Sequence, residues 1–155
     1  MGDPSEMIFE LVPNNKKKYL DFLLLADEQE DMIDRYLDRG EMLLLRDGQV
    51  RTVCVVTKED ENVYEIKNLA TAPASQRQGY GRAMIEFISR RYQGPGRILL
   101  VGTGDSPLTL PFYLSCGFVY SHRVPQFFLK NYDHPIVEGG KRLVDMVYLR
   151  KEIGE

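Results

Sequence analysis

Between Val63 and Val101 the hydrophobic period changes twice. Val63 to Ala70 alternates as a strand does, with Tyr64, Ile66 and Asn68 on one face and Val63, Glu65, Lys67 and Leu69 on the other. Gly79 to Tyr92 then sets Ala83, Met84, Phe87 and Ile88 at helical spacing, and Gly94-Pro95-Gly96 stops the helix. Ile98 to Val101 is a continuous apolar run, which suits a buried strand. Strand, helix, strand in this order is a crossover unit, so part of the sheet is parallel.

The rest of the chain is read against that unit. Met7 to Val12 reads as a short strand, and Asn14-Asn15 as a helix start. Lys18 to Leu37 is amphipathic, with Asp27-Glu28 dividing it into two helices and Gly40 placed to cap its end. Glu41 to Arg46 and Val50 to Lys58 flank Asp47-Gly48, a strong hairpin signal. Ser106-Pro107 is expected to cap a helix running to about Cys116, ended by Gly117. Phe118 to Arg123 and Leu143 to Leu149 are expected strands. The sum is an α+β domain with a mixed sheet and two β-α crossovers in its second half.

At 155 residues the expectation is a single domain spanning 1–155, with its core at about 7–150. A composition of 43% hydrophobic and 28% charged residues suits a packed core rather than disorder. The net charge of −3 argues against a general nucleic-acid binder. No run reaches the ~18–20 apolar residues of a membrane span, and Met1 to Glu10 is acidic, unlike a signal peptide. Cys54 and Cys116 supply neither a disulfide framework nor a four-ligand zinc site, so no metal is expected. A cytoplasmic protein follows as the expectation.

One segment carries chemistry. Gln76-Arg77-Gln78-Gly79-Tyr80-Gly81-Arg82 joins a strand to a helix. Its glycines remove Cβ atoms where the helix begins, and the first N–H groups of a helix lack intrahelical partners. That start is suited to a phosphate. A dinucleotide fingerprint needs Gly or Ala where Met84 stands, and no Gly-Lys-Ser/Thr is present for a P-loop. A second glycine-rich stretch, Gly102-Thr103-Gly104, fits neither pattern.

Gln76-x-x-Gly79-x-Gly81 after a strand resembles the acyl-CoA pyrophosphate loop of the GNAT superfamily of N-acetyltransferases. Phe112-Tyr113-Leu114-Ser115-Cys116-Gly117-Phe118 is similar to that family's Tyr-x-x-x-Gly-Phe ending of the helix before strand six. The element order agrees from first strand to last. The resemblance implies the GNAT-like acyl-CoA N-acyltransferase fold, a mixed twisted sheet of six to seven strands flanked by about four helices. It implies acetyl-CoA as co-substrate and a primary amine of a small molecule or peptide as acceptor, attacking directly in a ternary complex. A non-catalytic acyl-CoA-binding or sensing module on the same fold is the alternative. O-acyl transfer would need a stronger base, and no Ser-His-Asp or Cys-His arrangement is evident.

Carried over residue by residue, the resemblance puts the pantetheine against the backbone of Leu69, Ala70 and Thr71. The arm is expected to enter where strand Ile66–Thr71 splays from strand Ile98–Gly102. The pyrophosphate is expected on the amides of Arg77, Gln78, Gly79, Tyr80, Gly81 and Arg82. Many members have Asn seven residues before the Tyr; here Ser106 stands there, with shorter reach. Tyr113 occupies the position of the general acid and of the contact with the CoA sulfur. Glu65, eleven residues before Gln76, occupies the position of a carboxylate base. An N–H near Leu69 or Ala70 is the expected oxyanion donor.

The long stretch between Arg123 and Lys141 is rich in aromatic residues and reads as a lid or wall over the acceptor. Asp133, His134 and Phe128 are its candidates for touching the substrate. The apolar final strand, Leu143–Leu149, offers a surface for pairing with a second copy as a homodimer.

Overall fold

The computed structural model describes residues 6–154. The chain divides into two compact units, one from the N-terminal part through Lys58 together with Ile66–Arg91, the other Glu59–Glu65 together with the chain from Tyr92 onward.

The first unit holds β1 (Ile8–Val12), a 3-10 turn at Lys16–Tyr19, α1 (Leu20–Ala26), α2 (Glu30–Asp34), β2 (Glu41–Asp47) and most of β3 (Gln49–Asp60) and β4 (Val63–Thr71). A 3-10 turn at Pro73–Ser75 and α3 (Tyr80–Arg91) complete it. Its strands neighbour one another in the order β1-β2-β3-β4. Met42 to Leu45 and Val53 to Val56 are all buried, which is why both runs read as unbroken apolar stretches. Leu23, Ile33, Tyr36 and Leu37 from the α1–α2 segment pack against Met42, Leu44, Val53 and Val55. The buried stripe of α3 is Tyr80, Met84, Ile85 and Ile88. Phe87 lies beside that stripe and stacks on Phe9 at 4.2 Å.

Gly40 is not the expected left-handed cap. Its backbone is not at positive φ, and a Cβ there would meet Val55 Cγ1 at 2.7 Å and the Tyr36 carbonyl at 3.1 Å. Close approach of the chain to β3 is what requires glycine. Gly40→Ala is expected to cost about 1–3 kcal/mol through overpacking. The unfolding temperature should then fall by about 2–12 °C.

The second unit holds β5 (Ile98–Gly104), α4 (Leu110–Ser115), β6 (Val119–Val124), α5 (Phe127–Asn131), a hairpin of β7 (Val137–Glu138) and β8 (Lys141–Arg142), and β9 (Met146–Glu152). Its main strands run in the order β5-β9-β6, with both pairings antiparallel. Ser106 does not begin α4. Its hydroxyl accepts the Leu108 N–H at 3.1 Å, closing a turn, and the helix starts at Leu110. The final strand begins at Met146 rather than Leu143, and it lies between β5 and β6 with Val147 and Leu149 buried. Both of its edges are therefore paired within the chain. The long connection carries α5 and a hairpin, so among the described residues the helices number five. No helix among the described residues is long and apolar enough to cross a membrane.

Candidate active site

The first unit carries the glycine loop. Asp47-Gly48 makes the expected turn between β2 and β3, but the register slips just before it. Leu45 pairs with Thr52 and Arg46 with Val50, which leaves Arg51 as the extra residue of a bulge. The bulge re-aims Arg51 toward the loop. Its Nε donates to the Asp47 carbonyl at 2.9 Å and its Nη1 to Ser75 Oγ at 3.1 Å, while its carbonyl accepts the Ala72 N–H. The guanidinium lies over the Tyr80 ring, and the buried Tyr80 phenol donates to the buried Asp47 carboxylate at 2.7 Å. Both ends of the loop are thereby tied to the β2–β3 turn.

Within the loop, Arg77 has φ of 64° and Gly79 of 88°. The side chains of Gln76 and Gln78 fold back to donate to the carbonyls of Thr71 and Ala74, each at 3.2 Å. Thr71 also shares a hydroxyl hydrogen bond with Thr52 at 2.9 Å. Arg77, Gln78 and Gly79 are exposed, and no atom stands within 4 Å of where a Gly79 Cβ would be. α3 has no acidic residue in its first turn. An open cradle, a twelve-residue helix and no competing carboxylate in its first turn fit a pyrophosphate. On β4, Ala70 is buried while Leu69 and Thr71 are half-buried. Arg82 is exposed beside Gly81.

The second unit carries the carboxylate and the phenols. Glu65 is buried at 6% exposure, so it is not a solvated strand residue. The Tyr148 phenol of β9 donates to its Oε2 at 3.3 Å. Burial first, then the charge of Glu65 and the hydrogen bond to it, push the Tyr148 phenol well above its ordinary value, so it stays protonated. His122 of β6 stacks on Tyr148, with centroids 4.7 Å apart and rings 4° from parallel. Nothing local to either strand marks this pairing. It depends on a register shift at Ser121 in β6, which two strand predictions cannot reveal. Tyr113 is buried in α4, edge-on to Phe112 and Phe118. Ser106, expected to reach the cofactor, is 1% exposed, and its hydroxyl oxygen accepts the Leu108 N–H of its own turn.

The connection from β6 to β9 is ordered around a small apolar cluster of Phe128, Ile136 and Leu143, against which Phe127, Tyr132 and Met146 pack. Asp145 anchors its start, accepting the Gln126 N–H at 2.8 Å and pairing with Arg123 at 3.2 Å. The Gln126 N–H, with Arg123 adding to it, holds the Asp145 carboxyl below the usual range. A cavity of about 150 Å³ is lined by Phe128, Tyr132, Asp133, His134, Ile136 and Arg142, among others. Asp133 and His134 are exposed and hydrogen-bonded to each other at 2.6 Å. Among the described residues no cluster of His, Cys, Asp and Glu is placed to hold a metal ion.

Among the described residues, a mixed sheet of seven strands with five helices, a glycine loop opening the third helix and a tyrosine-bearing fourth helix define an acyl-CoA transferase architecture. The chain belongs to the GNAT family of acetyltransferases: the family model described as acetyltransferase (GNAT) domain matches residues 38–120. Uncharacterized N-acetyltransferase YvbK of Bacillus subtilis is 34% identical over 143 residues, covering 90% of this chain and 92% of that protein. A GNAT family acetyltransferase from Elizabethkingia anophelis, solved with acetyl-CoA bound, matches with a TM-score of 0.86 at 30% identity, over 95% of this chain and 98% of that one. A Bacillus subtilis acetyltransferase in complex with CoA matches with a TM-score of 0.82 at 32% identity, over 94% and 98%.

Proposed function

We propose that this acetyltransferase moves an acetyl group from acetyl-CoA to a primary amine of a small molecule or peptide, by direct attack in a ternary complex in the cytoplasm. The observation that carries the reading is the buried carboxylate of Glu65 on the strand that leads into the glycine loop.

The amides of Arg77 to Arg82 would hold the pyrophosphate of acetyl-CoA, and the backbone of Leu69 to Thr71 its pantetheine. Bound there, the co-substrate supplies an acetyl group already activated as a thioester. Glu65 takes the proton that an alkylammonium, with a pKa of about 10, must lose to become a nucleophile. It does so at a carboxylate oxygen, directly or through one water. Tyr113 holds a proton at its phenol oxygen for the departing thiolate, whose conjugate pKa is about 8.5. A backbone N–H near Leu69 or Ala70 faces the oxygen on which charge develops. On the acceptor side, Phe128 walls the cavity while Asp133 and His134 stand at its polar rim. A cationic acceptor suits the carboxylates of Asp133 and Glu65.

Thermal unfolding with acetyl-CoA, and with NAD and ATP as controls, tests the co-substrate. At a hundred times its dissociation constant a ligand adds about 2.7 kcal/mol. The expected rise is about 5–10 °C with acetyl-CoA alone. No rise at saturation would remove the glycine loop as a pyrophosphate site, and the assignments of Glu65 and Tyr113 with it.

A further inference from the structure

Beside Glu65 stand three residues to which the reading above gives no role: Gly102, Tyr148 and His122. We infer that Tyr148 is a positioning residue for acetyl transfer, which keeps the Glu65 carboxylate ionised and aimed by donating a hydrogen bond from its phenol to Oε2. The inference rests on the proposed reading of Glu65 as the base.

Two features of the second unit converge on that hydrogen bond. Gly102 of β5 pairs directly with Tyr148 of β9, and a Cβ on Gly102 would meet the Tyr148 ring at 3.0 Å. The missing side chain lets the ring lean across β5 to Glu65. This accounts for the first glycine of Gly102-Thr103-Gly104, which no nucleotide pattern explains. The second glycine clears a different neighbour, since a Cβ on Gly104 would strike Leu143. On the far side, the shift at Ser121 sets His122 rather than Ser121 opposite Tyr148. Residues directly opposite in an antiparallel pair share a face. His122 therefore lies flat on the phenol ring and fixes its plane.

A base buried at 6% exposure needs such a device. Removing a carboxylate from water favours its protonated form, which cannot accept a proton, and a donor to the ionised form opposes that. The charged or titratable groups acting on the phenol are Glu65 on β4, Glu59 on β3 and His122 on β6. The two carboxylates both keep the phenol protonated. His122 offers its ring face, and its Nδ1 is engaged with Ser121 Oγ at 2.9 Å.

Tyr148→Phe removes the hydroxyl and keeps the ring, its contact with Gly102 and its stack on His122. Protein labelled with carbon-13 at the glutamate carboxyl reports Glu65 without any acceptor, the resonance being assigned by its loss in Glu65→Gln. The expected result is a Glu65 titration midpoint about one pH unit higher in Tyr148→Phe than in the parent. Gly102→Ala, which displaces the ring but retains the phenol, should move it in the same direction. An unchanged midpoint in Tyr148→Phe overturns the inference. Acetyl transfer from acetyl-CoA, measured with the first amine accepted from a panel of small primary amines, separates the two failures. If Glu65→Gln transfers at the parent rate, the reading of Glu65 as base falls and takes the inference with it. If Glu65→Gln is impaired while the midpoint in Tyr148→Phe does not move, the inference falls alone.

Discussion

Glu65→Gln is expected to lower kcat by about 10²–10⁴-fold, the usual contribution of a positioned proton acceptor, while leaving the affinity for acetyl-CoA unchanged. The amide has nearly the size of the carboxylate and its oxygen still accepts the Tyr148 hydroxyl, so the packing around β4 is kept. What it loses is the capacity to take a proton at neutral pH. At pH 7 only about one alkyl amine in a thousand is neutral, given a pKa of about 10. The variant should therefore be most impaired at low pH, and its deficit should narrow as the pH rises toward the pKa of the amine, where solvent removes the proton. Thiol release followed from pH 6 to 10 checks this. A deficit that is constant across that range would mean that Glu65 orients the acceptor rather than deprotonating it. The affinity readout, by calorimetry with acetyl-CoA alone, separates either effect from a damaged fold.

The legible part of this molecule is what local pattern can encode. Alternation over Val63–Thr71, helical spacing over Tyr80–Arg91 and Gly79 and Gly81 at the start of that helix placed the crossover and its loop to within a residue or two. Asp47-Gly48 was equally legible as a turn. The further work of Asp47, to accept the Tyr80 phenol, was not legible. It joins residues 33 positions apart and follows from a bulge that no local signal marks.

The same limit hid the surroundings of Glu65. Its strand and spacing were readable, and its partner Tyr148 was not, because 83 residues separate them and the contact needs a register on each side of β9. Glycines show the difference most clearly. Gly79 and Gly117 stand where a turn demands positive φ, and the sequence pattern finds them. Gly40, Gly102 and Gly104 are glycines because another element occupies the space of their side chain. That cause lies in tertiary contact, so Gly40 read as a cap and Gly102 as an unexplained motif.

Gly79→Asp is expected to weaken acetyl-CoA binding by about 5–150-fold relative to Gly79→Asn, the second of the two large effects. Gly79 sits at φ of 88°, where Asn and Asp are the least strained replacements. Nothing within 4 Å obstructs a Cβ there, so both variants should fold. The two side chains have nearly the same shape, and the contrast between them is one negative charge. A carboxylate about 5 Å from one phosphate charge is repelled by roughly 1–3 kcal/mol, for effective dielectrics between those of water and a protein surface. That is the fold-change expected. It should shrink in 1 M salt, where the screening length falls to about 3 Å. Calorimetric titration of acetyl-CoA into both variants at low and high salt reads all four values. Equal, salt-insensitive losses would mean that bulk rather than charge matters at this position. Affinities in both variants equal to that of the parent would mean that no phosphate lies against Gly79, and the pyrophosphate would have to be sought further along the amides of α3.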